Sequence, residues 1–135
     1  MKSLIIAGWV AALPAAALAQ AQQFDLVCSG VKVTELDGPE QPYDYGFRVD
    51  VAAGRWCWDT CERTFEIEEV GPDRLVFQLD RENTSRSQRY SRNEVSRIDG
   101  LHEQIVIEAS PGMQFYNVKG SCSPRPFSGF PAALF

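Results

Sequence analysis

His102 is the sole histidine of the chain and stands two residues beyond an Asp99-Gly100 pair. Imidazole is the side chain best suited to general-base work or metal ligation near neutral pH, which makes it the first place to look for a reactive centre. A nucleophilic triad needs such a base within hydrogen-bond reach of an activated hydroxyl or thiol. The chain has neither a Gly-x-Ser-x-Gly elbow nor a His-Glu-x-x-His helix, and no carboxylate spacing completes a metal site around the imidazole. His102 therefore reads as a surface residue at the start of a hairpin. Glu66 and Glu68 are the other pair with catalytic spacing. On a strand they would share one face with carboxylates about 6–7 Å apart, within the range of glycosidase acid/base pairs. Yet Phe65-Glu66-Ile67-Glu68 is the alternation of any half-buried strand, and the polar-face reading is preferred. No catalytic residue, metal or cofactor is expected, and the chain is read as a binding or structural module rather than an enzyme, with a small hydrolase as the remotest alternative.

Binding chemistry is better represented. The segment Arg81–Arg97 carries five arginines against two glutamates in a chain whose 13 Lys+Arg and 18 Asp+Glu give a net charge of -5. Guanidinium groups grip carboxylate and phosphate in a forked geometry, so Arg86, Arg89 and Arg92 are candidates for contacting an anionic envelope component or protein. The competing reading is a solvated hairpin kept soluble by Arg and Ser. Trp56 and Trp58, with Tyr43 and Tyr45 nearby, form an aromatic group that could stack on a ligand. Core packing is the preferred role, since a small β domain needs its large apolar side chains inside. The acidic balance argues against nucleic acid as a partner.

These side chains must be placed by an exported scaffold. Lys2 followed by an uncharged Ala/Leu/Ile run to Leu18 and by Ala17-Leu18-Ala19 reads as a signal peptide over 1–19, cleaved after Ala19 or Ala21. The run is too short to span a bilayer, and Cys28 is badly placed for a lipid anchor, so no membrane anchor is expected and the location is periplasmic or secreted. In an oxidising compartment the four cysteines read as two disulfides. Three pairings are formally possible. Cys28–Cys122, joining the first strand to the last, and Cys57–Cys61, closing a small loop, are favoured over a four-cysteine zinc site, for which paired Cys-x2-Cys spacings are missing.

Beyond the leader the dominant period is two. Strands are expected at 24–29, 47–51, 55–58, 64–68, 74–80, 88–98 with a break, 103–109 and 114–120. They are separated by turn residues, best at Asp99-Gly100, which predicts a two-residue hairpin turn. At most a short turn is expected near Asp59–Arg63. The fold class is thus all-β, an antiparallel up-and-down barrel of seven or eight strands over 20–122, with a β-sandwich as the alternative. The Pro- and Phe-rich tail, 123–135, is expected to be irregular and to cap an open end of the barrel with Phe127, Phe130 and Phe135.

The stretches Phe24-Asp-Leu-Val-Cys-Ser-Gly, Tyr45-Gly-Phe-Arg-Val-Asp-Val, Gly54-Arg-Trp-Cys, Ser96-Arg-Ile-Asp-Gly, Gly120-Ser-Cys and Pro126-Phe-Ser-Gly-Phe-Pro resemble those of a set of small exported alphaproteobacterial proteins. The likeness spans most of the mature chain and implies an extracytoplasmic location and a disulfide-bearing β domain. It carries over no catalytic or binding residue. In architecture alone the chain is also similar to the periplasmic lysozyme inhibitors, which adds a periplasmic inhibitor or small-ligand carrier as an alternative function.

Overall fold

The computed structural model describes residues 22–110 and 112–132, so the leader and its cleavage sites lie outside the described residues. Nine strands follow one another without an α-helix among the described residues: β1 Gln23–Val33, β2 Gln41–Asp50, β3 Arg55–Trp58, β4 Phe65–Glu66, β5 Glu69–Val70, β6 Arg74–Asn83, β7 Gln88–Ser96, β8 Leu101–Ala109 and β9 Met113–Arg125. They form one antiparallel sheet in the order β4-β3-β2-β1-β9-β8-β7-β6-β5, strongly curled into a half-barrel. Alternation explains which face is buried. Phe24, Leu26 and Cys28 point inward from β1, and their β2 partners Val49, Phe47 and Tyr45 point inward beside them. Leu75 and Val95 supply the opposite wall.

The two ends of the sheet are consecutive in sequence. β4 pairs with β3 and β5 with β6, while between them the Ile67 amide donates to Gly54 O (2.9 Å) and the Glu68 amide to Val76 O (2.9 Å). At this level Phe47 and Phe77 stack across the interior at 4.9 Å, and Trp56 lies 5.1 Å from Phe77. Further along the axis the sheet stays open. The short strands β3, β4 and β5 end early, so among the described residues Gln41–Tyr45 and Gln78–Asn83 have no strand partner on their outer sides. Pro42 on one edge and the inward-directed Asp80 and Glu82 on the other discourage pairing with a second chain.

Both favoured disulfides are present, Cys28–Cys122 between paired residues of β1 and β9, and Cys57–Cys61 from β3 to the turn that follows it. All four thiols are thereby consumed, which excludes the four-cysteine zinc site. Several local expectations need correction. β7 runs unbroken to Ser96; the irregularity lies instead in β6, as a bulge between Val76 and Gln78. The 97–100 connection has four residues, not two. The Gly100 amide donates to Ser96 O (3.1 Å), and Gly100 adopts φ 74°, where an added Cβ would also strike Cys122 O. Asp59–Arg63, by contrast, keeps to the turn expected there, closed by the second disulfide.

The tail departs from expectation as well. β9 continues through Arg125 because residues 123–125 still pair with Asp25–Val27 of β1. The chain then crosses the outer face of β1 and β2 instead of an end of the half-barrel: the Ser128 amide donates to Asp25 Oδ1 (3.2 Å), and Arg48 Nη1 donates to Gly129 O (2.9 Å). Phe127 and Phe130 meet edge to face at 5.2 Å, while Phe135 lies outside the described residues.

Candidate functional site

The three arginines singled out in sequence do not converge. Strand alternation puts Arg89 on the inner side of β7 with Ser91, Asn93 and Val95, and Arg92 on the outer side with Tyr90 and Glu94. Arg89 Nε lies 3.6 Å from Asp80 Oδ2. Arg92 donates from Nε to Glu94 Oε2 (2.7 Å), and this hydrogen bond is the main reason its guanidinium is held still more firmly protonated. Arg74 also approaches Glu94, at 3.9 Å. Arg86 stands apart in the exposed 84–87 turn. Arg81 lies over the Tyr90 ring at 5.4 Å.

Trp56 and Trp58 are part of the core. Trp56 is 3% exposed, packs between Phe47, Phe65 and Phe77, and donates its indole N–H to Glu66 O (3.2 Å). Trp58 packs on Phe47 at 4.9 Å and on Tyr45 at 5.4 Å. Neither offers a free stacking platform of the kind a saccharide needs. Glu66 and Glu68 are both exposed, and Glu66 reaches Arg55 only at 3.9 Å.

His102 is not at the surface. It is fully buried on the inner face of β8. Nε2–H donates to Asn93 Oδ1 (2.8 Å), which leaves Nδ1 to accept from the Tyr43 hydroxyl (2.8 Å). Both ring nitrogens are therefore satisfied with the ring neutral, and burial pushes its pKa from 6.5 down to about 4. Burial likewise pushes Tyr43 up to about 12, against the opposing hydrogen bond of Tyr45, and raises Tyr45 further. Such a set is poorly suited to acid-base chemistry near neutrality, because no member titrates there. His102 also sits within 4.8 Å of the sulfurs of Cys28 and Cys122, but these are bonded to each other and offer no thiolate. Asn93 Nδ2, Ser91 Oγ and Arg89 Nε, on alternate positions of the inner face of β7, have no hydrogen-bond partner among the described residues.

A different place has the shape of a binding site. At the end of the half-barrel beneath the 97–100 turn lies an open pocket of about 240 Å³. Its walls are Phe24, Leu26, Leu75, Val95, Cys122 and Pro124, contributed by β1, β6, β7 and β9. Its rim is Ser96–Gly100. The turn is held from below: the Arg97 amide donates to Asp73 O (2.8 Å) and Arg97 Nη1 to Gly71 O (2.8 Å). Ile98 on that rim is 81% exposed, the highest value among the large apolar side chains described. Ile98 directly precedes the Asp99-Gly100 pair that reads in sequence as a two-residue turn. Had the loop been read as four residues, an isoleucine in its middle, where polar residues are usual, would have marked the spot.

Against protein-family models, curated proteins and solved structures, the chain finds no match.

Proposed function

We propose that this chain is an exported, non-catalytic binding module, periplasmic or secreted, that takes a small ligand of largely apolar character in the pocket beneath the 97–100 turn. One observation carries this reading: an open, apolar-walled cavity of about 240 Å³ at the end of the half-barrel, against its buried apolar core. Small-molecule sites are concave, mostly apolar and furnished with few polar groups. A cavity of about 150 Å³ is enough for a benzene ring, so this one accommodates a ligand of roughly ten non-hydrogen atoms. The two disulfides agree with an oxidising compartment. Contact with an anionic partner through Arg86, Arg89 and Arg92 together is less well supported, since two of the three already face carboxylates on opposite sides of the sheet.

The test is a two-dimensional amide NMR titration of the purified oxidised protein with 1-octanol. Saturable shifts confined to the amides of Leu75, Val95 and residues 96–100, and lost in Val95→Phe, are expected. Shifts scattered over the surface, or none up to the solubility limit, would sink the reading.

A further inference from the structure

We infer that the pocket selects an anionic amphiphile, with its carboxylate or phosphate head on the Arg97 guanidinium and its apolar tail between Leu75, Val95 and Phe24. The inference rests on the pocket being the binding site and adds the chemical class of its ligand. It comes from accounting for the backbone amides and the charged side chains of the rim.

The backbone amides of the turn are already committed. Arg97 N–H goes to Asp73 O, those of Ile98 and Asp99 to Ser96 Oγ (3.3 Å each), that of Gly100 to Ser96 O, and that of Leu101 to Asp99 Oδ1 (3.1 Å). The Asp99 carboxylate is held below the usual carboxylate range, first by its hydrogen bond with Ser96 and then by the Leu101 amide, so it is occupied by its own loop. What remains is Arg97. A guanidinium has five N–H donors, and one of Arg97 is used, on Gly71 O. Among the described residues no carboxylate lies within salt-bridge distance of it, unlike Arg55, Arg74, Arg89 and Arg92. Arg97, a half-buried residue on the rim of the apolar pocket, thus has guanidinium donors to spare. Beside it Ile98 exposes an aliphatic side chain that a bound tail would cover. An apolar wall, an uncommitted cation and an exposed isoleucine on one rim match a ligand with one apolar end and one anionic end. At roughly ten non-hydrogen atoms, the pocket is sized for a free short-chain amphiphile and not for a two-chain lipid.

Calorimetric titrations of the oxidised protein with octanoate, 1-octanol and octylammonium decide the matter. Octanoate is expected to bind about tenfold more tightly than 1-octanol, the worth of one charge-assisted hydrogen bond, and octylammonium most weakly. Arg97→Gln should remove the octanoate advantage while leaving 1-octanol binding unchanged, and Arg97→Lys should retain part of it. Equal affinity for all three ligands would overturn the role of Arg97 while leaving the pocket reading intact. No binding of any of the three overturns both. If Arg97→Gln fails to fold, the order of the three ligands on the unaltered protein, with added salt weakening octanoate alone, remains decisive.

Discussion

Tyr43 and His102 belong to strands with two others between them, yet the Tyr43 hydroxyl donates to His102 Nδ1 at 2.8 Å. Register explains how. Tyr43 of β2 is opposite Gly30 of β1, Gly30 is opposite Gly120 of β9, and Gly120 is opposite His102 of β8. Three strand spacings are roughly 14 Å on a flat sheet, a gap that two inward side chains can close only over residues without a Cβ. A Cβ on Gly120 would stand 2.6 Å from the Tyr43 hydroxyl and would also strike Ser29 O. The pair of glycines is the track along which Tyr43 reaches the histidine.

Gly120→Ala should therefore destabilise the fold by about 2–3 kcal/mol, the upper part of the range for overpacking, because one of the struck atoms is backbone and cannot rotate away. Tyr43→Phe should cost about 1 kcal/mol, since His102 Nδ1 loses its shorter hydrogen bond and keeps only the Tyr45 hydroxyl at 3.2 Å. Urea denaturation of both variants measures this. A loss below about 0.5 kcal/mol for Gly120→Ala, within the scatter of ordinary surface substitutions, would contradict the crossing geometry.

Acid should unfold the protein partly through His102. Its pKa is 6.5 when unfolded and about 4 when folded, so between these values the unfolded chain binds the proton and the native state does not. The stabilising contribution is fully present above about pH 6.5 and lost as pH falls toward about 4. It levels off below that, a total of about 3 kcal/mol. The difference in unfolding free energy between the parent and His102→Gln, followed from pH 8 to 4, should shrink through that window. A constant difference would mean that His102 titrates normally.

The two disulfides should contribute unequally. In the chain-entropy model the cross-link between Cys28 and Cys122, 94 residues apart, restrains the unfolded chain by about 4.5 kcal/mol, and that between Cys57 and Cys61, 4 apart, by about 2 kcal/mol. Cys57→Ser/Cys61→Ser should fold with a modestly lower Tm, and Cys28→Ser/Cys122→Ser should lose the larger share. Equal losses would show that the small loop matters through native-state packing around the buried Cys57 instead.

Arg92 and Glu94 should couple only weakly to stability. Both are on the outer face and partly exposed, and pairs of this kind are worth about 0.5–1 kcal/mol in a double-mutant cycle. The cycle Arg92→Ala, Glu94→Ala should return that value and shrink at high salt. Arg86→Ala should leave stability unchanged. A coupling above about 2 kcal/mol would indicate a desolvated pair.

Much of the scaffold was legible in the sequence, because period-two alternation and turn residues are local signals. The strand 55–58 was located with its bounds, and of the three pairings the sequence left open the favoured one is present. The two-residue β5 was missed because Glu69-Val70 has no room to alternate; only its pairing with Leu75 and Val76 makes it a strand. Arg89 and Arg92 look alike in a basic run, but odd spacing on a strand sends them to opposite faces, and each then finds a carboxylate. His102 followed a turn, a local signal for exposure, and its burial depends on Gly30 and Gly120, remote in sequence and brought beside it by pairing. The pocket likewise has walls from four strands and a rim from one turn. By itself the sequence determined the elements, the stapling cysteines and the expectation of export. Only tertiary structure decided which polar groups are satisfied inside, which cation borders the apolar pocket and where that pocket opens, because each depends on side chains converging from strands far apart in the chain.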